Sequence, residues 1–273
     1  MSGLVNVETL KRKPWNSVKL KKLLNVHTLR GTISLVVFVV LWQLVVVFKV
    51  PYLENLPLPG KVAEAGAKSL FSLSYWLNVV TSLKRVFIGF LIAQALGIPL
   101  GLAMGANRVI KDLVFPTFEI LRPIPPIAWI PLAILFWPTP ELSIYFLTFI
   151  GSFFITVINV MAGVTRIPIS LKRAAVSLGA RPRDVFWRIM VPGSLPSIVT
   201  GMTVGMGVTW NVLIAAEMIA GHGGLGRMTW EAYTNASLPT IIVGMISIGL
   251  AGYLCSSLVR FAGERVMPWK KRF

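Results

Sequence analysis

Acidic residues, histidines and cysteines are scarce in this chain. Its 273 residues include ten aspartates and glutamates, two histidines and one cysteine. An enzyme site requires paired acids, a nucleophile beside a base, or a set of metal ligands. His27 and His222 lie far apart, and the lone Cys255 excludes an internal disulfide or a CxxC metal motif. We therefore expect no catalytic residue and no metal site.

The chain also lacks two common short signals. Gly60 and Lys61 in "LPLPGKVAE" have neither the earlier glycine nor the following serine or threonine of a phosphate-binding loop. We expect no cofactor in this chain and no ATP hydrolysis by it. The first apolar run has no A-x-A cleavage site and follows a polar stretch of about thirty residues, so we expect it to be retained as a membrane span.

Charge is low overall, while apolar residues dominate. Charged residues make up 14% of the chain and hydrophobic residues 55%, with a mean hydropathy of +0.73. Soluble domains carry about 25% charged residues, so we expect an all-α polytopic protein in a lipid bilayer. The formal charge of +17 is compatible with nucleic-acid binding. However, the basic residues flank apolar runs, as is typical of cytoplasmic loops, and we expect no nucleic-acid partner.

Six apolar runs approach the roughly 20 residues needed to cross a bilayer. They lie at about 31–48, 85–105, 113–137, 142–164, 197–220 and 238–260. Twenty of the 27 basic residues precede the first run or follow the second, fourth and sixth. The positive-inside rule places these segments and both termini in the cytoplasm. The predicted parts are a basic segment 1–30, a membrane domain 31–265 with a cytoplasmic loop 166–196, and a basic tail 266–273.

The third run is interrupted. From Pro116 to Pro140 the chain has seven prolines, which leave only Ile127–Trp137, about 16 Å long, before the next break. One interpretation is a broken helix of the kind that lines transport pathways. The other is that "RPIPP" forms a cytoplasmic elbow before a short buried helix. Both interpretations keep this segment away from the lipid.

Small residues recur at four-residue spacing in the second run. Gly97, Gly101 and Gly105 form a stripe that lets another helix approach closely, so we assign them to helix packing.

Polar residues inside the runs are candidates for a translocation pathway, because they are costly in lipid. We select Arg85, Arg122, Trp210, Asn211 and Glu217, with Gln94 and Asn159 as further candidates of the same kind. Each has a structural alternative. Arg85 can snorkel to the outer headgroups. Arg122 can anchor the chain at the inner face beside Glu119. Glu217 can end its helix, satisfied by backbone groups or an arginine.

A basic segment separates the fourth and fifth runs. "ISLKRAAVSLG" predicts a short helix closed by Gly179 in the left-handed conformation. Pro182 suits the first position of a second helix, with Asp184 in its first turn. Phe186, Ile189 and Met190 then share one face. We expect Pro192 and Pro196 to end this helix before span five. A helix-turn-helix of this kind favours a docking surface over a solvated loop.

This segment resembles the "EAA" loop of permease subunits of binding-protein-dependent ABC importers. Their pattern is E-A-A, three residues, G, nine residues, I-x-L-P, and the matching residues here are Ala174, Ala175, Gly179, Ile189 and Pro192. Arg173 replaces the glutamate, and Val191 replaces the leucine. The resemblance implies a type I importer fold in the bacterial inner membrane and a coupling helix that docks on a cytoplasmic ATPase. The coupling residues would be Arg173, Ala174, Ala175, Gly179, Arg183, Asp184, Phe186, Ile189 and Pro192.

The rest of residues 31–265 resembles the nitrate/sulfonate/taurine/bicarbonate branch. The segments are "SLKRVFIGFLIAQALGIPLGLAMG", "LRPIPPIAWIPLAILFW" and "WNVLIAAEMIAGHGGLG". Nitrate (nitrite, cyanate) permeases are most similar, with bicarbonate permeases as near neighbours. The resemblance implies a second copy of this chain, an external solute-binding lipoprotein, and ATPase subunits that bind ATP and Mg, one of which can carry a solute-binding-like regulatory domain. An ATP-independent anion channel or secondary transporter is the alternative from another class.

Overall fold

The computed structural model describes residues 17–53, 55–267 and 269, and all regular secondary structure in these residues is helical. The helices are α1 (Ser17–Val47), α2 (Pro59–Leu70), α3 (Leu73–Ala106), α4 (Arg108–Leu121), α5 (Ile130–Phe136), α6 (Pro140–Thr165), α7 (Ile169–Ser177), α8 (Pro182–Val185), α9 (Val191–Ala220), α10 (Leu225–Thr234) and α11 (Leu238–Val266). A 3₁₀ turn at Pro126–Trp129 precedes α5, and a π turn at Phe186–Met190 precedes α9. Of the predicted basic segment 1–30 and basic tail 266–273, residues 1–16, 268 and 270–273 lie outside the described ranges.

The chain divides after Lys61 into two compact units. In the first, α1 contains an apolar stretch of 19 residues, Leu29–Val47, and thus confirms the first predicted span. The indole N–H of Trp42 donates to the carbonyl of Pro57 at 3.1 Å. This bond fixes the chain that follows α1 against the end of that helix.

The second unit is a helical bundle around α6. Its spans are α3, α6, the continuous α8–α9 helix and α11, together with the bent pair formed by α4 and the 3₁₀–α5 segment. With α1, this gives five helices long enough to cross a membrane, or six when the bent pair counts as one. Span two begins at Leu73 rather than near residue 85. Helices α2 and α10 lie outside the predicted apolar runs.

Helices α3 and α6 run in the same direction. A methyl group added at Gly97 would lie 3.3 Å from Thr156, and one added at Gly101 would lie 2.7 Å from Val160. Gly105 meets Val164 in the same way, always 59 residues further along the chain. The glycine stripe therefore does what its spacing predicts, and a side chain at Gly101 would force the two backbones apart.

Helices α6 and α9 run in opposite directions. Gly163 contacts Ser197, Gly201 contacts Asn159, and an added methyl group at Gly151 would lie 3.3 Å from the backbone of Thr209. As the residue number rises on one helix, it falls on the other. Because α6 packs closely on both α3 and α9, it is the central helix of the bundle.

The bent pair crosses the bundle, since α3 and α6 are parallel and the chain between them must return to the starting end. Phe118 of α4 packs on Phe153 and Phe154, with ring centroids 6.0 and 4.8 Å apart, near the middle of α6. The hydroxyl of Ser143, at the beginning of α6, donates to the carbonyl of Ala133 in α5 at 3.0 Å.

The break between the two arms, where the axis bends by 85°, therefore lies at mid-height. The bend is that of a broken span or of a re-entrant loop, so the broken helix and the cytoplasmic elbow both stay predictions. Within the single chain Ile130 and Ala133 of α5 are buried, whereas Leu135 and Phe136 are largely exposed, so its separation from lipid stays a prediction.

The sequence predicts that Pro192 and Pro196 end the helix before span five. In the structure they do not end it. Helices α8 and α9 are joined by the π turn, in which the N–H of Val191 reaches the carbonyl of Phe186 five residues back. A widened turn relieves the clash of the Pro192 ring with the preceding turn, and proline has no N–H to leave unpaired. Pro196 remains inside α9.

Candidate functional sites

Helix α7, the turn after it and α8 form an exposed helical pair, residues 169–185, at one end of the bundle. The N–H of Gly179 donates to the carbonyl of Val176 at 2.9 Å, and that of Ala180 donates to Ala175 at 3.0 Å. These two bonds close a Schellman motif, and Gly179 has the positive φ of +85° that this motif requires. The predicted glycine stop is confirmed.

The beginning of α8 is stabilised as its sequence predicts. Pro182 occupies the first turn, and the Asp184 carboxylate accepts from the N–H of Arg181 at 3.3 Å. Arg188 lies 3.8 Å from Asp184. The cap and the Schellman motif hold α7 and α8 as two short helices with a defined turn between them.

The helical pair is attached to the bundle on one side only. Every residue of α7 is exposed or half-exposed, including Arg173, Ala174 and Ala175, and Arg183 is also exposed. Phe186 and Met190 instead pack against a cluster at the ends of α3, α6 and α9. That cluster consists of Leu102, Val160, Val164 and Ile198.

The apolar face predicted from Phe186, Ile189 and Met190 is therefore an attachment to the bundle. Ile189 and Pro192 are also half-buried. The apolar residues presented outward are others, among them Leu171, Val176, Leu178 and Trp187.

A buried ion cluster lies at the opposite end of the bundle. Arg85 of α3 is only 2% exposed, and its guanidinium donates to Glu141 at the start of α6 and to Glu217 near the end of α9. The distances are 3.0 Å from Nε to Glu141 and 2.9 Å from Nη1 to Glu217. Nη1 also donates to the carbonyl of Gly223 at 2.6 Å. Snorkelling of Arg85 to the headgroups is therefore wrong.

Glu217 is fully buried, and polar partners surround its carboxylate. Besides Arg85, it accepts from the hydroxyl of Ser82 at 2.8 Å and from the N–H of Gly226 at 2.9 Å. Gly224 has a φ of +106°, and a side chain there would collide with the Glu217 carboxylate. The "GHGGLG" turn thus folds over Glu217 and joins α9 and α10 to α3 and α6. Both partners predicted for Glu217 are present, since its carboxylate accepts from the Arg85 side chain and from the backbone N–H of Gly226.

Sequence reasoning missed Asn78, Ser82 and Glu141 in this cluster. The Asn78 side chain accepts from the N–H of Gly224 at 2.8 Å, and Ser82 accepts from Leu225 at 2.8 Å. Asn78, Ser82 and Arg85 are spaced by four and three residues, which places them on one helix face. This signal was present but was overlooked, because the span was started at residue 85.

The five pathway candidates do not form one site. Trp210 is buried in the main apolar core with Leu213 and Cys255, whereas Asn211 beside it faces outward. Arg85 and Glu217 belong to the ion cluster. Among the described residues, no group of three or more His, Cys, Asp and Glu side chains has the proximity of a metal site.

Arg122 lies elsewhere, at the break of the bent pair. It lines an open cleft of about 350 Å³ with Asn159 of α6 and Val208 of α9. The apolar lining consists mainly of Ile124, Pro126, Ile150, Phe154 and Ile155. Within the described chain no ion pair joins Arg122 to Glu119. The mid-height position of the cleft does not fit an anchor at the inner face.

Comparison with known proteins identifies the class. Residues 97–272 match the family described as binding-protein-dependent transport system inner membrane component. The chain belongs to this family, and it is a multi-pass permease subunit of an ABC importer rather than a catalytic subunit. This assignment favours the importer over the ATP-independent channel or secondary transporter.

Individual relatives support the nitrate/sulfonate/taurine/bicarbonate branch. The substrates that some of their names give differ from one relative to another. A putative ABC transporter permease of Methanocaldococcus jannaschii is 41% identical over 71% of this chain and 73% of its own length. The taurine transport system permease of Escherichia coli is 32% identical, covering 86% and 88%. A nitrate import permease of Synechocystis is 30% identical, covering 89% and 91%.

The fold also matches a solved structure, the inward-facing MetNI methionine ABC transporter. Its TM-score is 0.57 at 21% identity, covering 74% of this chain and 100% of that one.

Proposed function

We propose that this chain is the permease of an importer for a small inorganic anion, with nitrate (or nitrite and cyanate) as the expected substrate. Support comes from the nitrate import permeases among its relatives and from the cleft at Arg122, whose described lining residues include a cation and no carboxylate. Bicarbonate and sulfonates such as taurine are the alternatives, the latter supported by the E. coli relative.

The working assembly comprises two copies of this chain, two cytoplasmic ATPase subunits and an external solute-binding lipoprotein. ATP and Mg are bound by the ATPase subunits, one of which can carry a regulatory domain. Both termini and the helical pair 169–185 face the cytoplasm, in keeping with the positive-inside rule. The ion cluster of Arg85, Glu141 and Glu217 then lies at the external end.

We propose that the helical pair couples the permease to its ATPase subunits, because one side of the pair is exposed and the other side packs on the bundle. A partner that binds Leu171, Val176 and Leu178 moves Phe186 and Met190, which pack on the ends of α3, α6 and α9. Because α8 continues through the π turn into α9, this movement reaches a helix about 45 Å long. Its far end holds Glu217, so the two ends of the bundle are connected mechanically.

Leu178→Asp tests this coupling. Leu178 is 88% exposed, so the substitution leaves the internal packing of the permease intact while placing a charge in the proposed ATPase contact. We expect the variant to reach the membrane, to purify without ATPase subunits, and to lose at least about ten-fold in labelled-nitrate uptake. Gly179→Pro, which cannot adopt the φ of +85°, should give the same result.

Phe71→Asp is the matched control. Phe71 is 93% exposed and lies between α2 and α3, at the other end of the bundle. We expect this variant to retain its ATPase subunits. Normal ATPase co-purification and normal uptake by Leu178→Asp would contradict the coupling role. Cells that lack the gene test the substrate. If they lose uptake of bicarbonate or taurine but keep nitrate uptake, the proposed substrate is wrong and the coupling role is unaffected.

A further inference from the structure

The break in the third span places an arginine in an unusual environment. The cleft beside Arg122 is lined by Ile150 to Asn159 of α6, the middle third of a helix about 39 Å long. Charged side chains at this depth are costly in lipid and face a cavity, a partner group or a pathway. The position of Arg122 therefore requires a counter-charge or water.

This counter-charge is not supplied by the described residues. None of their carboxylates forms an ion pair with Arg122, and the described lining of the cleft contains none. Arg85 provides the contrast, since the same side chain type is there buried between two carboxylates. Arg85 is thus neutralised within the fold, while the guanidinium of Arg122 keeps its donors available.

Asn159 adds a second donor to the same cleft. One hydrogen of its amide nitrogen is used in a bond to the carbonyl of Ile155 at 2.8 Å. An amide nitrogen has two hydrogens, so one remains for a ligand. Gly201 of α9 packs directly against the Asn159 side chain, which holds the amide at this height on α6.

We infer that this cleft is an intramembrane binding site for a small monovalent anion, which pairs with Arg122 and accepts a hydrogen bond from Asn159. The inference rests on the proposed import of a small anion and assigns the residues that hold it within the membrane. A planar guanidinium offers two parallel N–H donors that match two oxygens of a planar oxyanion. Arg122 is exposed in the single chain, so a ligand can reach its donors from the open side of the cleft.

The charge of the cleft determines its selectivity. One cation neutralises one negative charge, so a divalent anion such as sulfate would retain an unpaired charge in an apolar environment. A zwitterion such as taurine would bring an ammonium group beside Arg122 with no carboxylate in the described lining to receive it. The cleft therefore favours nitrate-like or bicarbonate-like anions over both.

Direct binding is tested first, on the full chain in lipid nanodiscs. The melting temperature is measured in sodium nitrate, sodium sulfate and taurine at equal ionic strength, for the wild type and for Arg122→Gln and Arg108→Gln. A ligand that binds the folded state raises the melting temperature. We expect nitrate, but neither sulfate nor taurine, to raise that of the wild type relative to Arg122→Gln. Arg108, whose side chain is 93% exposed at the start of α4, is the matched control and should behave as wild type.

Transport is tested next, in the assembled complex with its ATPase subunits and binding protein. We expect Arg122→Gln to raise the KM for nitrate uptake by about ten-fold or more, because the variant loses a charge-assisted ion pair with the anion. Arg122→Lys should show a smaller rise, since the charge remains but the two-donor geometry is lost. If Arg122→Gln does not fold, Asn159→Leu replaces it, with an expected rise of about two- to ten-fold.

The outcomes separate the site from the proposed function. An equal nitrate-dependent shift in the wild type and in Arg122→Gln overturns the site, and so does the absence of any shift in the wild type. A shift that requires Arg122, in a complex that imports no small anion, supports the site and overturns the proposed substrate. A shift produced equally by sulfate overturns the monovalent selectivity.

Discussion

The two intramembrane arginines show how much the surroundings determine what a charged residue does. Arg85 is enclosed by Glu141, Glu217 and the carbonyl of Gly223, so its charge is used within the fold. Arg122 faces an open cleft together with one asparagine. We assign the first to holding together the ends of α3, α6 and α9 that lie far from the helical pair 169–185, and the second to ligand binding.

Arg85→Gln is expected to destabilise the protein by about 3–5 kcal/mol, because it leaves Glu217 buried without its cationic partner. Thermal or denaturant unfolding in mild detergent measures this change. Arg227→Gln is the control, since Arg227 forms a partly exposed pair with Glu231 at 2.8 Å whose loss costs about 0.5 kcal/mol. Equal stability of the two variants would show that the buried cluster does not hold the bundle together.

Among elements, α3 and α6 pack closely along much of their length. Gly89, Gly97, Gly101 and Gly105 all face α6, over a length of about 24 Å. The Gln94 amide adds polar bonds, donating to Ser152 at 2.8 Å and accepting from Thr156 at 3.1 Å. Two parallel spans held so closely should move as one body, while the broken third span and the π turn supply the points of deformation.

Gly101→Ala is expected to lower stability by about 1–3 kcal/mol, because the added methyl group would lie 2.7 Å from Val160 and 2.8 Å from the carbonyl of Val157. Gly249→Ala, on α11 with open space around it, should instead be neutral or stabilising by up to about 1 kcal/mol through its higher helix propensity. Melting temperatures in the same detergent compare the two. A Gly101→Ala protein as stable as Gly249→Ala would contradict the close contact.

On the scale of the whole molecule, the helix directions give a definite topology. The antiparallel α6 and α9 and the parallel α3 and α6 place the helical pair 169–185 at one end and the Glu217 turn at the other. From the distribution of basic residues we propose that the first end faces the cytoplasm.

Single cysteines in a Cys255→Ser background test this orientation. Leu178→Cys and Asn235→Cys both occupy exposed positions, the second between α10 and α11. A membrane-impermeant maleimide should label only Asn235→Cys in spheroplasts and only Leu178→Cys in inverted vesicles. The reverse pattern would invert the proposed topology, and labelling of both from one side would contradict the crossing of α9.

Local sequence patterns predict the features that depend on neighbours along the chain. These are the apolar spans, the glycine stripe, the Gly179 stop and the Pro182 start, because hydropathy, helical period and local backbone preference act over a few residues. The beginning of span two was misplaced, since polar Asn78 and Ser82 look like a loop until their partners are known. Likewise, Pro192 and Pro196 look like helix stops until a π turn accommodates them.

Contacts between residues far apart in the chain depend instead on how the helices pack together. Glu141 lies 56 residues and Glu217 lies 132 residues after Arg85 in the chain. No local sequence pattern shows whether such a charge is neutralised inside the fold. The same holds for Arg122, whose position at mid-height follows from the packing of Phe118 on α6. Burial and electrostatics depend on the packing of the helices against one another, so these roles became visible only when the helices were assembled.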